Sequence, residues 1–376
     1  VSNPDVQTLS AGTYDYIYNT SGNENYTSDS ASNTLTINKA NAGCHVLFNK
    51  TSPLTYPNSF RVWHNCSTSA TLKRNDSLIS NNSEQSLGAG DYNFSVQAND
   101  TENYTNTYDE EFFTINKATP SLTTSVSSPI TYGTSSDYSG SESNSGDGDL
   151  NYTLYRNETQ IDTGSSVSDS SVLGAGYYKY NYTTTGGENY TSASSVDYLT
   201  VEKANNPISL TINPSLTETY GTETNASCSA EQGTVNLYRN STLVSNPDIQ
   251  TLSTGLWNYS CNVSESENYT SNSTYELLTI NKETGSVNLL LNGTDGNISF
   301  VYGNQINASA SSTGQTIALY RNGTNITSQN NVFKDIAAGY YNYTVVALEN
   351  ENYAKASETH FLTVSKADPG LSLNAE

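Results

Sequence analysis

The chain has 376 residues, a net charge of −22 from 15 basic and 37 acidic side chains, a hydrophobic fraction of only 34%, and 29 tyrosines. An acidic balance without a basic cluster excludes nucleic acid as a partner and attraction to an anionic membrane surface, since both need grouped Lys and Arg. No window approaches the roughly 18 continuous apolar residues that span a membrane, and the wealth of tyrosine argues against disorder, because disordered chains are poor in aromatics.

In chain order, the first element is a partial one. Val1-Ser-Asn-Pro-Asp-Val-Gln-Thr-Leu-Ser10 matches Val244-Ser-Asn-Pro-Asp-Ile-Gln-Thr-Leu-Ser253 almost residue for residue, so the chain begins in the middle of a repeat. Residues 1–40 are predicted to be the C-terminal half of a unit, with its last three strands. Complete units are predicted at 41–118, 119–204, 205–283 and 284–367, and residues 368–376 as the first strand of a further one. A lone half-unit exposes its core and unpaired strand edges. Two explanations stand: the chain, which lacks methionine even at position 1, is an excerpt from a longer repeat protein, or another chain completes the half-unit as in donor-strand assemblies.

Four markers recur in one order and phase. Glu-Asn-Tyr places a tyrosine at 26, 104, 190, 269 and 353, and a lysine follows at 39, 117, 203, 282 and 366. Arginine followed by asparagine recurs at Arg74, Arg156, Arg239 and Arg321, and a tyrosine, in most units before glycine, at Tyr56, Tyr132, Tyr220 and Tyr302. Between the markers the pattern is β: apolar residues alternate in Val235-Asn-Leu237-Tyr and Leu278-Thr-Ile280, and turn residues punctuate the chain every ten residues or so. Units of about 80 residues with six or seven short strands predict an all-β fold of tandem immunoglobulin-like sandwiches. Short linkers predict that these repeats form an elongated, semi-rigid rod.

A strand beginning Gly-x-aromatic recurs as Gly12-Thr-Tyr14-Asp-Tyr16, Gly90-Asp-Tyr92-Asn-Phe94, Gly176-Tyr-Tyr178-Lys-Tyr180, Gly255-Leu-Trp257-Asn-Tyr259 and Gly339-Tyr-Tyr341-Asn-Tyr343. Period-two alternation puts its aromatics on one face and polar residues on the other. The chain is similar to the bacterial-type Ig-like (Big/MBG-like) repeats of large microbial cell-surface proteins. Those run from a Tyr-Gly step through an aromatic-bearing strand to Leu-x-x-Gly-x-Tyr, an Asn-Tyr hairpin and a closing Leu-Thr-Val/Ile-x-Lys-Ala strand. Here the pattern reads Tyr220-Gly221, Val235 to Tyr238, Leu252 to Trp257, Asn268-Tyr269 and Leu278 to Lys282; it departs at Pro57, in place of the glycine, and at Glu283, in place of the alanine. The resemblance covers nearly the whole chain and implies an extracellular stalk, adhesin or surface-layer role without implying a ligand. It also implies that Tyr14, Tyr92, Tyr178, Trp257 and Tyr341 occupy the tyrosine-corner position, the tryptophan donating through its indole.

Four cysteines in such a setting imply oxidation. Cys228 and Cys261 resemble the two core cysteines of Ig domains, with two buried thiols as the alternative. Cys66 aligns with Cys228, but its expected partner position holds Val96, which leaves Cys44 as its partner. A Cys/His metal site with His45 and His64 remains open in that unit.

The remaining chemistry is sparse. The three histidines, His45, His64 and His360, form no zinc spacing. No phosphate loop, nucleophile elbow or nameable carboxylate pair appears, so the sequence predicts no enzyme and no cofactor. Asp147-Gly-Asp149 with Glu142 offers oxygen ligands for calcium or is a solvated loop. The recurring lysine invites an isopeptide crosslink, but a position at domain junctions favours an exposed linker role.

Roughly 25 Asn-x-Ser/Thr sequons occur, about twice the number that composition alone provides. Those singled out as N-glycosylation sites are Asn25, Asn93, Asn103, Asn151, Asn157, Asn189, Asn240, Asn258, Asn268, Asn292, Asn322 and Asn342. Asn352 keeps the hairpin asparagine without the sequon, which favours a structural role there, with glycan added on top. Dense glycosylation on a microbial-type repeat points to an archaeal surface. The sequence therefore predicts a glycan-coated structural repeat protein of the cell surface that assembles with itself. The alternative is an adhesin gripping glycans or a partner protein, for which the unit carrying Trp63 is the most divergent. A third possibility is the non-catalytic stalk of a surface enzyme.

Overall fold

A computed structural model describes residues 3–144 and 148–373. Apart from a single 3-10 turn at Thr327–Gln329, the regular structure among these residues is β. The chain divides into two compact units, Val1–Glu202 and Lys203–Glu376.

In the first unit, Gly12–Thr20 pairs antiparallel with Asp29–Ile37 as a hairpin. The next repeat is a sandwich. A three-stranded sheet orders Val46–Phe48, Phe60–His64 and Ser83–Gln85, and a five-stranded sheet orders Leu54–Thr55, Thr107–Asn116, Gly90–Ala98, Ala70–Arg74 and Ser77–Ile79. The following repeat repeats this plan, with Leu122–Ser125, Tyr138–Glu142 and Ser166–Asp169 in one sheet. Its other sheet holds Ile130–Thr131, Ala193–Glu202, Gly176–Thr184, Tyr152–Arg156 and Thr159–Thr163.

The second unit contains two more sandwiches of the same order. In the first, Ile208–Asn213, Glu223–Ala230 and Asp248–Thr251 lie in one sheet, and Thr217–Thr219, Asn272–Asn281, Gly255–Val263, Val235–Arg239 and Thr242–Val244 in the other. In the second, Val287–Leu291, Gln305–Ser312 and Phe333–Asp335 lie in one sheet, and Ile298–Val301, Ala356–Ser365, Gly339–Ala347, Ile317–Arg321 and Thr324–Asn325 in the other. In all four sandwiches the short strand at the edge of the larger sheet pairs in parallel with the closing strand.

Each core lies between its two sheets and is thin, so a few aromatics fill it. Phe60 stacks on Phe113 at 3.9 Å between ring centroids, and Tyr138 on Tyr180 at 4.5 Å. The Gly-x-aromatic strand supplies the centre of every core with Phe94, Tyr180, Tyr259 or Tyr343, all buried. The alternation read from sequence places them there: their neighbours two residues on, Val96, Tyr182, Cys261 and Val345, are buried as well.

Two terminal expectations differ from the structure. The partial unit shows one hairpin of two strands, Gly12–Thr20 and Asp29–Ile37, rather than three strands of a sandwich, and no strand is formed within Asn3–Ser10. On that hairpin Tyr16 and Tyr18, which align with buried Phe94 and Val96, are 39% and 78% exposed. Asp368–Leu373 form no strand, since a single extended segment has no ladder to join; residues 374–376 lie outside the described residues.

Candidate functional site

The Gly-x-aromatic strand opens with one repeated hydrogen bond. Tyr14 Oη donates to the Ser10 carbonyl at 2.7 Å, Tyr92 to Gly88 at 3.0 Å, Tyr178 to Gly174 at 3.0 Å and Tyr341 to Ala337 at 2.9 Å. Trp257 Nε1 donates to Ser253 at 3.0 Å. Each side chain reaches back four residues and fixes the loop that enters the strand, which gives that loop a defined backbone to present to a neighbour.

The neighbour is the Glu-Asn-Tyr hairpin of the next repeat. In the first unit Asn103 Oδ1 accepts the Ala11 N–H at 2.7 Å, and Asn189 Oδ1 accepts the Ala89 N–H at 2.8 Å. In the second unit Asn352 Oδ1 accepts the Thr254 N–H at 3.1 Å. A Cβ on Gly88 would lie 2.7 Å from Asn189 Oδ1 as placed, whereas the aligned Ser10 and Ser253 carry a side chain and make the same junction. The residue after each of the first four recurring lysines then joins the same hairpin. Ala40–Asn41 pairs in parallel with Tyr104–Thr105, Ala118 with Tyr190, Ala204 with Tyr269, and Glu283 with Tyr353.

Aromatic and ionic contacts complete the junction. The tyrosine of the Tyr-Gly step meets the hairpin tyrosine edge to face, Tyr56 on Tyr190 at 5.6 Å and Tyr220 on Tyr353 at 5.4 Å. Lys39 Nζ lies 2.5 Å from the Asp100 carboxylate, Lys117 donates to the Gly187 carbonyl at 2.7 Å, and Lys203 to the Ser266 carbonyl at 2.7 Å. Lys282 pairs with Glu349, whose carboxyl is held below its usual range by that lysine's hydrogen bond and charge. The recurring lysine is thus an anchor on the hairpin turn rather than a free linker residue. Exposed ion pairs contribute little, so the asparagine hydrogen bond and the ring pair dominate, at about 0.5–1.5 kcal/mol each.

The Arg-Asn marker has two separate roles. Its asparagine holds a left-handed backbone, with φ 46° at Asn75, Asn157, Asn240 and Asn322, and the next residue is left-handed too. Two such residues make the tight hairpin turn whose twist suits flanking strands. The Asn Oδ1 also accepts a backbone N–H from the Gly-x-aromatic strand, at Asn93, Lys179, Asn258 and Asn342. The arginine points into the sandwich. Arg156 and Tyr180 both donate to the Asp169 carboxylate, Arg239 and Tyr259 to Asp248, while Arg74 donates to Gln85 in the repeat where phenylalanine replaces the core tyrosine. Burial raises the Tyr259 hydroxyl to about 12, with Asp248 adding to the shift and Arg239 opposing it.

Cys44 is bonded to Cys66, and Cys228 to Cys261. The Cys44–Cys66 disulfide takes up both cysteines of the Cys/His alternative, while His45 Nδ1 stands 3.7 Å from Asp109 and His64 Nδ1 accepts the Cys66 N–H. Of the calcium candidates, Asp147 lies outside the described residues. Glu142 accepts from Asn144, and Asp149 from the Glu188 N–H. Among the sequons, Asn25, Asn103, Asn151, Asn157, Asn240, Asn258, Asn292 and Asn322 are exposed, and Asn93, Asn189, Asn268 and Asn342 are half-buried. Trp63 is half-buried on its sheet. No helix among the described residues is long and apolar enough to cross a membrane.

No protein-family model matches the chain, and no curated protein matches it. Solved structures similar to it include the fibronectin(III)-like modules of Clostridium thermocellum CbhA, at 12% identity over 43% of this chain and 95% of that one, with a TM-score of 0.19. A second is the Bacteroides ovatus mixed-linkage glucan utilization locus protein SGBP-B in complex with a heptasaccharide, at 13% identity over 65% of this chain and 67% of that one, TM-score 0.18. A third is domains 4–9 of the surface layer protein SbsC, at 10% identity over 78% of this chain and 57% of that one, TM-score 0.20.

Proposed function

We propose that this chain is a structural repeat segment of an extracellular microbial surface protein, of the bacterial-type Ig-like (Big/MBG-like) kind and from an archaeal surface. It forms a glycan-coated stalk, surface-layer element or filament that assembles with itself. The reading assigns it no catalytic role and no cofactor. One observation carries it: the residues that recur most strictly, Glu-Asn-Tyr, the following lysine and the tyrosine of the Tyr-Gly step, meet where successive repeats join within each unit. A binding protein repeats its scaffold and varies one surface; here the repeated chemistry is spent on connection.

Two experiments test this. Small-angle scattering from the full chain is expected to give an extended particle, and Asn352→Ala is expected to weaken its junction by about 1 kcal/mol, read as loss of hydrogen-exchange protection at the Thr254 amide. A compact particle, with the Thr254 amide unchanged in the variant, overturns the reading. Separately, glycopeptide mass spectrometry of native material is expected to find the exposed sequons occupied; bare asparagine throughout removes the glycan coat from the proposal.

A second reading, an adhesin for glycans or proteins, has one observation in its favour. Tyr177 stacks on Tyr198 at 5.3 Å and Tyr340 on Phe361 at 5.4 Å, outward on the larger sheets, and flat exposed ring pairs are surfaces on which sugars stack.

A further inference from the structure

In the last sandwich, the closing strand Ala356–Ser365 sends Glu358, His360, Leu362 and Val364 to one face. Leu362 and Val364 enter the core, and Glu358 and His360 continue the row toward the rim. His360 is only 13% exposed at its side chain, and its Nε2 faces two carboxylates, Asp295 Oδ1 at 3.1 Å and Glu358 Oε1 at 3.3 Å. All three atoms lie within 4.8 Å of one another.

That convergence is poorly served by hydrogen bonding alone. A ring nitrogen carries at most one hydrogen, so it makes one good bond and leaves the second anionic oxygen facing the first. The other oxygen of Glu358 is already used: Oε2 accepts the Leu289 N–H at 2.7 Å, which fixes the carboxylate and leaves Oε1 directed at the imidazole. The loop that carries Asp295 is ordered on both sides of it. Leu291 and Thr294 exchange backbone hydrogen bonds around a turn at Asn292 (φ 47°) and Gly293 (φ 79°). Asn297 Oδ1 then accepts the Phe361 N–H at 2.8 Å, beside His360. In the sister repeats the position of His360 is held by an acid, Glu111, Asp197 or Glu276, and that of Glu358 by Asp109, Ser195 or Thr274, so among the described residues the three side chains come together in this sandwich alone.

We propose that Asp295, Glu358 and His360 form a three-ligand site for a divalent metal of the zinc class, with water completing the coordination. One nitrogen and two oxygens suit such an ion. With ligand bonds of about 2.0–2.2 Å, a tetrahedral site places its ligand atoms roughly 3.3 Å apart, and the two ring-nitrogen separations match. The dication balances the paired carboxylates, and the Leu289 N–H on Glu358 is the outer hydrogen bond that orients a metal ligand. The metal ties the Asn292–Asn297 loop to the closing strand.

The test is calorimetric titration of the full chain with Zn²⁺ near neutral pH after dialysis against a chelator, repeated with Co²⁺ to record its visible spectrum. One equivalent is expected to bind in a distinct tight phase, with the intense visible bands of four-coordinate Co²⁺. His360→Gln and Asp295→Asn are each expected to weaken that phase by about 100-fold or more. Asp295 is exposed in a loop, so its variant leaves folding intact. Absence of the tight phase, or the same phase in both variants, as scattered carboxylates would give, overturns the proposal.

Discussion

Asp169→Ala is expected to destabilise the repeat at 119–204 by about 3–5 kcal/mol, the cost of removing one partner from a buried charge pair. The Asp169 side chain is 3% exposed and serves four donors: Arg156 and Tyr180 on Oδ2, and the N–H and hydroxyl of Ser171 on Oδ1. Alanine strands a half-buried guanidinium and a buried phenol together. The measurement is hydrogen exchange at the amides of Leu154 and Tyr180, which reports this repeat apart from its neighbours; protection equal to the unaltered chain would show that solvent already reaches the carboxylate. Replacing Arg156, Asp169 and Tyr180 together by apolar residues of similar volume is expected to restore most of the loss, because the pair's own attraction is largely offset by its desolvation.

The same carboxylate gives the repeat a pH dependence of fixed sign. Burial by itself would raise the Asp169 carboxyl, but the hydrogen bonds from Ser171 and Tyr180 and the charge of Arg156 outweigh it and hold the group below its usual range. The unfolded chain, titrating near the ordinary value of about 3.9, therefore takes up the proton first as pH falls. The stabilisation is fully present above that value and is lost as pH drops through the lower folded one. In Asp169→Ala this acid limb should disappear from the hydrogen-exchange profile.

The fold was legible because period-two alternation and five copies of one pattern leave little room for another architecture. Roles within the pattern were harder to read. The tyrosine-corner positions came from the resemblance alone; the acceptor four residues back, as with Tyr92 and Gly88, is seen only in the structure. The lysine could not be assigned, because Lys39 and Lys282 find their partners at Asp100 and Glu349, in the hairpin of the next repeat. The Arg-Asn pair read as a marker without a mechanism. Asn322-Gly323 is a tight-turn signal on its own, but Asn75-Asp76 and Asn240-Ser241 hide the same left-handed turn behind less permissive residues. His360 carried no signal at all: spacing rules look for ligands close in sequence, and Asp295 reaches it only after a whole sandwich has closed.

Removing the Cys228–Cys261 bond is expected to cost the repeat at 205–283 about 4 kcal/mol, from the chain entropy of a loop with sequence separation 33. The bond joins Glu223–Ala230 in the smaller sheet to Gly255–Val263 in the larger one, and Cys261 is fully buried beside Tyr259 and Leu237 in the core. It therefore closes the sandwich across its two layers. The Cys44–Cys66 bond spans 22 residues and ties Cys44 beside the first strand to a loop, so its loss is expected to cost about 3 kcal/mol and to loosen one edge rather than part the sheets. Paired Cys→Ala variants, followed by hydrogen exchange at Leu237 and Ile280 for one and at Val46 and Val62 for the other, separate the two. If the first variant keeps full protection at Leu237, the bond adds nothing to the stability of the repeat, and the Arg239–Asp248–Tyr259 hydrogen bonds hold the layers together by themselves.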